Sequence, residues 1–313
     1  MSAPTPIPQE KVRLDGIAAD SWYSRGLNTS TVEYCAEVFS RFWKGRRCLE
    51  MGPAEGVMTP HLSRTFPDLT LVEGAEAFCA SLRERFPAAT VIRSLFEEFS
   101  PAAPFDTIVL GHVLEHVEDP VEVLRKAASW LAPGGVVCSS VPNARSLHRQ
   151  AAVLLDLLPA EGSLNPTDLH HGHRRVYDPE SFRTDFRAAG LSIRFFGGYW
   201  IKPLSNRQME GSWSPEMIHA FMQLGERYPD IAAEIYVIAS SATETKNGDI
   251  IPRPARNSAA SNNVALDRLW CPGFSPIIAS MSSPSAPRAS ITPKPKSMPP
   301  DTAAPARNSR SDR

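Results

Sequence analysis

No stretch of the sequence approaches the roughly 18 uninterrupted apolar residues that a membrane-crossing helix needs. The opening residues, MSAPTPIPQEKVRLDG, lack the short apolar core of a secretory leader. The expectation is a cytoplasmic protein with no membrane partner. Charge of one sign is also missing: the formal net charge over 313 residues is -1. Without clustered Lys and Arg there is little counterion release to drive binding, so nucleic acid is not an expected partner. Cysteine is scarce, with five residues (Cys35, Cys48, Cys79, Cys138 and Cys271) in no C-x-x-C pair. A disulfide framework or a zinc site is therefore not expected. No internal repeat is visible.

What is present is a core-forming composition, 42% hydrophobic and 21% charged, enough for one large or two modest domains. It changes near residue 241. The stretch 241–313 holds 11 of the 29 prolines and 10 basic against 5 acidic residues, which leaves 23 basic and 29 acidic residues in the first 240. Segments such as SSPSAPRASITPKPKSMPPDTAAPARNSR have almost nothing to bury, so ordering them would cost backbone entropy without return. The tail is expected to be disordered. One island, VALDRLWCPGFSPII (264–278), is apolar enough to dock on a protein partner, though an accidental apolar run fits it equally.

From residue 46 to 240, short apolar runs alternate with amphipathic segments, the pattern of an α/β fold with a mostly parallel sheet and helices on both faces. Strands are expected at 48–51, 69–74, 89–93, 105–111, 134–142, 191–200 and 234–240. Val121, Leu124, Ala127, Ala128 and Leu131 recur at helical spacing, and Pro133-Gly134-Gly135 should stop that helix. Asp178 and Pro179 read as a cap and first position of a helix that buries Phe182, Phe186 and Ala189 and ends at Gly190. Residues 203–232 read as largely helical.

The segment CLEMGPAEGVMT (48–59) is an apolar strand that ends in an acid, followed by a glycine turn and an apolar helix start. Gly52 and Gly56 allow close backbone approach to a ligand, and free amides at a helix start can receive one. An ordinary strand-to-helix turn has the same look. Glu73, 23 residues after Glu50, is the second observation: it stands where a carboxylate meets ribose hydroxyls in nucleotide-type folds. Pyrophosphate sites avoid acids in the glycine turn, yet Glu50 and Glu55 flank this one. A phosphate-free, cationic ligand fits better.

On these residues the chain resembles the class I S-adenosylmethionine-dependent methyltransferases, of the small-molecule type. Glu50, Gly52 and Gly56 match the family's first motif and Glu73 its ribose acid. FDTIVLGHVLEHVEDP (105–120) matches the fourth-strand signature and LAPGGVVCSSVPN (131–143) the fifth-strand entry. Ala54 stands where the family has its central glycine. The resemblance covers about residues 45–240 and implies a Rossmann-like, doubly wound, seven-stranded sheet. The implied organisation is an N-terminal helical segment (1–44) over the cofactor site and a methyltransferase domain (45–240), followed by a Pro/Ser-rich tail (241–313). The implied acceptor cover comes from 144–177 and 203–232.

The resemblance implies S-adenosylmethionine as cofactor, with Glu50, Gly52 and Gly56 beside its methionine part, Glu73 on the ribose, and Gly74 and Ala75 next to it. Ser94, Leu95 and Phe96 would border the adenine, with Ser94 where the family often has an acid. Gly111 and His112 would place the sulfonium against the acceptor. Trp22-Tyr23-Ser24-Arg25 would fold over the cofactor or simply pack on the sheet.

Methyl transfer is an in-line displacement, and a hydroxyl acceptor must also lose a proton, a task suited to histidine near neutral pH. Four histidines cluster late in the chain: His148, then His170, His171 and His173 in DLHHGHRRVYDPESF. Together with Arg174 and Tyr177, His173 is similar to a His-Arg-x-Tyr element of sugar and small-molecule methyltransferases. His173 or His171 is the expected base or acceptor orienter, with His112 a further candidate; a solvated loop that caps the next helix would look the same. His116, placed one helical turn beyond His112, reads as structural. No metal is expected, because one loop with no acid pair at ligand spacing rarely fills a coordination sphere. Arg174, Arg175, Lys202 and Arg207 could meet an anionic acceptor, or be ordinary surface charges, and Tyr199 and Trp200 could wall its pocket. The expected activity is methyl transfer to a small-molecule hydroxyl; an N-methyltransferase on a small amine and a non-catalytic adenosylmethionine-binding scaffold are the alternatives. N-P-P-Y and D-P-P-Y are absent after the fourth strand, which weighs against nucleic-acid methylation.

Overall fold

The computed structural model of the protein describes residues 7–242. The expected disordered tail beyond 242, its apolar island at 264–278 and Cys271 lie outside the described residues.

In chain order the elements are α1 (Ile7–Ala19), α2 (Leu27–Ser40), β1 (Arg47–Met51), α3 (Thr59–Thr65), β2 (Asp68–Glu73), α4 (Glu76–Arg85), β3 (Thr90–Arg93), β4 (Phe105–Gly111), α5 (Pro120–Ser129), β5 (Leu131–Pro142), α6 (Leu147–Leu154), α7 (Pro166–His170), α8 (Pro179–Ala188), β6 (Leu191–Tyr199), α9 (Asn206–Met209), α10 (Pro215–Gly225), a 3-10 turn η1 (Pro229–Ile231) and β7 (Glu234–Ser241). The seven strands form one sheet in the order β3-β2-β1-β4-β5-β7-β6. The first five are parallel, whereas β7 runs antiparallel between β5 and β6. Strand order reverses between β1 and β4, which opens a crevice at their carboxyl ends, where doubly wound sheets take their ligands.

Alternation along the strands sorts the core into two layers. Cys48, Leu71, Val109, Cys138, Tyr236 and Ile238 face a cluster that also contains Tyr34, Val38 and Phe39 of α2, Leu62 of α3 and Leu82 of α4. Their strand neighbours Leu49, Val72, Ile108, Leu110, Val137, Ile235 and Val237 face the other side, against Val123 and Leu124 of α5 and Phe182 and Phe186 of α8. A strand buried on both faces is largely apolar, which is why these runs were legible as strands. Helices accordingly cover both faces. Cys35, Cys48, Cys79 and Cys138 are buried free thiols.

Local chemistry sets the helix ends. Asp119 accepts from the amide of Glu122 at 2.9 Å ahead of Pro120. Asp178 accepts from Glu180 and Ser181 at 2.9 and 2.8 Å ahead of Pro179, and Gly190 leaves α8 at φ 78°. One boundary differs from the expectation. α5 ends at Ser129, and Leu131 to Pro133 already belong to β5, with Phe105 pairing to Leu131. Leu131 is partly buried in either element, so periodicity alone could not assign it. No helix among the described residues is long and apolar enough to cross a membrane.

Candidate active site

β1 ends and the chain turns sharply. Gly52, Ala54 and Gly56 all take left-handed backbone conformations, with φ 66°, 47° and 68°. For Ala54 this conformation costs about 1–2 kcal/mol relative to a right-handed one. The turn is held by its neighbours: Gly52 donates to the Val72 carbonyl at 2.9 Å, and Arg85 of α4 donates to the Glu55 carbonyl at 2.6 Å. Glu73, at the tip of β2, takes the Ala54 amide on Oε2 at 3.1 Å and the Ala75 amide on Oε1 at 2.8 Å. Burial raises the Glu73 pKa above the usual carboxylate range, with the amides of Ala75, Ala54 and Gly74 pulling it back part of the way. Glu50 is buried against the Thr59 hydroxyl at 2.8 Å, and burial pushes it up to about 7.

These tips border a cavity of about 610 Å³. Ten of the eleven expected cofactor residues line it: Glu50, Gly52, Glu73, Gly74, Ala75, Ser94, Leu95, Phe96, Gly111 and His112. Gly56 does not. A Cβ there would stand 2.7 Å from Leu82 Cδ2, so its part is to let the turn pack on α4. Ser94 turns its hydroxyl to the Leu95 carbonyl at 2.8 Å, and Glu97 lines the cavity beside Phe96. Glu55 also faces the cavity and accepts from the Ser24 amide at 2.6 Å. Through that bond it fastens the Trp22–Arg25 segment, whose Tyr23 lines the cavity and donates to the His171 carbonyl at 2.6 Å.

α1 forms the roof through Glu10, Arg13, Leu14 and Ile17. It has no buried residue. Ion pairs hold it in place: Lys11 with Glu98 at 2.7 Å, Asp15 with Arg93 at 3.1 Å and Glu10 with Arg174 at 2.9 Å.

At the carboxyl end of β4, His112 takes a left-handed φ of 57°. Its Nδ1 stands 3.5 Å from Glu115 Oε1 and 3.8 Å from Glu234 Oε2, and its Nε2 is 3.3 Å from the Tyr199 hydroxyl. Burial disfavours the imidazolium, but Glu115 and Glu234 outweigh it and hold the His112 pKa above its ordinary value. Burial pushes His116 down to about 3 and His171, with His173 adding to the effect, down to about 4. His112, His116 and His171 all line the cavity; His173 stands behind His116, their ring centres 4.6 Å apart.

Four expectations change in detail. Residues 112–118 form turns rather than a helix, and His116 reaches the cavity wall instead of only packing. Tyr199 and Trp200 are fully buried and do not line the cavity; Tyr199 acts from behind, through His112. Arg174 and Arg175 face inward: Arg174 donates to Glu10 and to the His116 carbonyl at 3.0 Å, and Arg175 to the carbonyls of Leu114 and Glu118, both at 2.8 Å. Lys202 is partly buried over the Trp200 ring, and desolvation lowers it to about 8. The sequence reading missed Glu115 and Glu234. Glu234 opens an otherwise apolar strand, and an acid in such a place was a usable signal.

Comparison with known proteins agrees with this geometry. A family model described as a methyltransferase domain matches residues 27–194. The chain belongs to this methyltransferase family. It is 29% identical over 172 residues to the ubiquinone biosynthesis O-methyltransferase of Xanthomonas euvesicatoria pv. vesicatoria (strain 85-10), a match covering 52% of this chain and 70% of that protein. With the enzyme of the same name from Caulobacter sp. (strain K31) it shares 29% identity over 228 residues, 64% of this chain and 87% of the relative. Among solved structures, a chain of the complex between the Haloferax volcanii Trm112 methyltransferase activator and a methyltransferase superposes with a TM-score of 0.51 at 14% identity, covering 73% of this chain and 97% of that one. That likeness is one of fold. The protein is thus an S-adenosylmethionine-dependent methyltransferase with a Rossmann-like fold. Its cavity suits the cofactor: a buried carboxylate at the second strand tip can still accept from hydroxyls, and the volume falls in the range of small-molecule sites.

Proposed function

We propose that this methyltransferase methylates a hydroxyl oxygen of a small-molecule acceptor and that His112 receives the hydroxyl proton. Bound in the cavity, S-adenosylmethionine supplies an electrophilic methyl group on sulfur. The acceptor oxygen forms the new C–O bond as the S–C bond breaks and its electron pair stays on sulfur, while the O–H proton passes to the imidazole.

The carrying observation is the placement of His112. It follows Gly111 at the end of β4 and lines the cavity; Glu115 and Glu234, 3.5 and 3.8 Å from Nδ1, favour a proton on that nitrogen, and Nε2 is left as the base when the Tyr199 hydroxyl turns to Ser140 Oγ, 3.3 Å from it. An imidazole oriented in this way is preorganised for proton transfer. His171 lines the cavity further toward Tyr23, and His173 is a ring removed from it. In this reading Glu73 holds the ribose, the 52–56 turn and Glu50 face the methionine part, and 94–96 border the adenine. Both relatives carry the name O-methyltransferase, which favours oxygen over nitrogen as the acceptor atom. Small-molecule acceptors also fit the roof that α1 places over the cavity.

Incubation with methyl-labelled donor and panels of phenols, alcohols and amines tests the reading. Label should enter phenols or alcohols as an acid-stable methyl ether. Label found only in amines would overturn the acceptor class, and donor retention without transfer to any acceptor would favour the scaffold alternative.

A further inference from the structure

We propose that Lys202 binds a carboxylate on the acceptor, which makes the substrates of this methyltransferase hydroxy acids. The strand ends that border the cavity belong to one half of the sheet. In the order β3-β2-β1-β4-β5-β7-β6, they are Glu50 and Met51 of β1, Glu73 of β2, Ser94 after β3 and Gly111 of β4, with His112 next to it. The ends of β5, β7 and β6 lie beyond His112.

Those three strands bring one cluster of side chains together. Pro142 of β5 and Tyr199 of β6 both pair with Glu234 at the start of β7. Ala233 accepts from the Asn143 amide at 2.8 Å and donates to the Trp200 carbonyl at 2.7 Å, so the segments that leave β5 and β6 run out on either side of Glu234. In these segments Ser146 Oγ, His148 Nδ1 and Trp200 Nε1 are buried without a hydrogen-bond partner, as is Glu234 Oε2. Unpaired polar atoms are rare inside proteins, and several at one sheet edge point to a polar ligand.

The nearby cations differ in what they already hold. Arg149 donates to Asp168 at 3.1 Å and to the Glu161 carbonyl at 2.7 Å, and Arg145 pairs with Glu180 at 2.7 Å. Arg174 and Arg175 are engaged by Glu10 and by backbone carbonyls. Lys202 has no hydrogen bond or ion pair among the described residues; its ammonium stands 4.9 Å over the Trp200 ring. Desolvation lowers its pKa to about 8, so the ammonium has lost water without gaining a partner, yet keeps its charge at neutral pH. Burial and the charges of Lys202 and Arg149 push His148 down to about 3, which leaves a neutral imidazole near the ammonium. An ammonium with hydroxyl, indole and imidazole donors in the same cluster suits a carboxylate.

Burial pushes Glu234 up to about 6, while His112 and Lys202 pull it back, so both cationic groups stand close to it. The ends of β4 and β6 are three strand spacings apart, roughly 14 Å. With His112 and Lys202 both near Glu234, one small hydroxy acid spans what remains, its hydroxyl at His112 and its carboxylate at Lys202. The position of the hydroxyl rests on the proposed function; the carboxylate site does not.

The test uses the full chain loaded with S-adenosylhomocysteine. Hydroxybenzoic and hydroxyphenylacetic acids, each beside its methyl ester, are titrated calorimetrically at neutral pH. At least one acid should bind roughly tenfold or more tightly than its ester, the scale of one charge-assisted hydrogen bond. Lys202→Met should erase that difference and Lys202→Arg should keep most of it, while Arg207→Met, at an exposed cation of α9, should not change it. The affinity of each variant for S-adenosylhomocysteine checks folding. A parent chain that binds no acid more tightly than its ester, including one that binds no compound of the panel, overturns the assignment, and so does a Lys202→Met chain that keeps the preference. Acid-stable label from methyl-labelled donor is followed on the same compounds. Ether formed on acids and esters alike, with no binding preference, would refute the carboxylate site and leave the proposed function standing; a Lys202-dependent preference with no ether on any compound would do the reverse.

Discussion

Glu73 Oε2 accepts the backbone amide of Ala54 at 3.1 Å, so the acid at the tip of β2 fastens the turn that follows β1. One carboxylate thereby does two jobs in the proposed complex, holding ribose hydroxyls and keeping a left-handed alanine in place. Glu73→Ala should weaken binding of S-adenosylhomocysteine by about 1.5–3 kcal/mol, the range for hydrogen bonds to a charged group. Calorimetry reads this directly. Unchanged affinity would remove Glu73 from the site.

Glu50 gives the donor site a pH dependence. Its folded pKa of about 7 is raised above the ordinary 4.5 by burial, so its contribution to stability is complete below pH 4.5 and is lost as pH rises through 7. A cationic donor reverses the preference by favouring the ionised form. Affinity for S-adenosylmethionine should therefore fall as pH drops below about 7, by at most tenfold per unit, with proton release on binding. Glu50→Gln should flatten the profile. Calorimetry in buffers of different ionisation enthalpy counts the protons.

Replacing His112 separates chemistry from binding. His112→Ala should lower turnover by about 100-fold or more, the usual scale of a lost general base, with donor affinity within about twofold. Single-turnover kinetics alongside calorimetry tests both halves, and a parallel loss of donor affinity would mean that His112 mainly builds the cavity.

The roof should respond to salt. α1 buries no residue and is held by ion pairs whose side chains are 18–44% exposed, so each contributes about 0–1 kcal/mol. Raising ionic strength from about 0.05 M to 1 M shortens the screening length from over 10 Å to about 3 Å. Donor release, followed by stopped flow, should speed up severalfold, and Arg93→Gln should mimic part of the effect at low salt.

Phe182 tests the packing of α8 on the sheet. It is fully buried, with its ring 5.3 Å from Phe186 and 5.4 Å from Tyr177. Phe182→Ala should cost about 3–5 kcal/mol of stability, read by denaturant unfolding.

The five inner strands were legible because strands buried on both faces leave largely apolar runs between glycine and proline breaks, while the edge strands β3 and β6, less buried, showed shorter apolar runs. The cavity wall was legible where it depends on spacing along one segment, as with Glu50, Gly52 and Glu73. It was hidden where it depends on pairing across the chain. Glu115 and Glu234 lie 119 positions apart, yet both approach His112, because β7 returns beside β5 and the 112–118 turn folds toward it. The histidines divide in the same way. His173 followed a motif, but its distance from the cavity is set by Arg174 and Arg175 gripping carbonyls of 114–118, and backbone acceptors leave no trace in residue identity.

The position of β7 has a consequence for synthesis. Among the described residues, the last strand to leave the ribosome is an interior one, wedged between β5 and β6. Until Ser241 emerges, β5 and β6 each keep an edge with open backbone groups, a template for pairing with other nascent chains. A chain stopped short of residue 234 would carry the whole 52–56 turn and Glu73 but would be left with two unzipped strands and no Glu234 behind His112. Premature termination there should yield aggregates rather than a half-active enzyme.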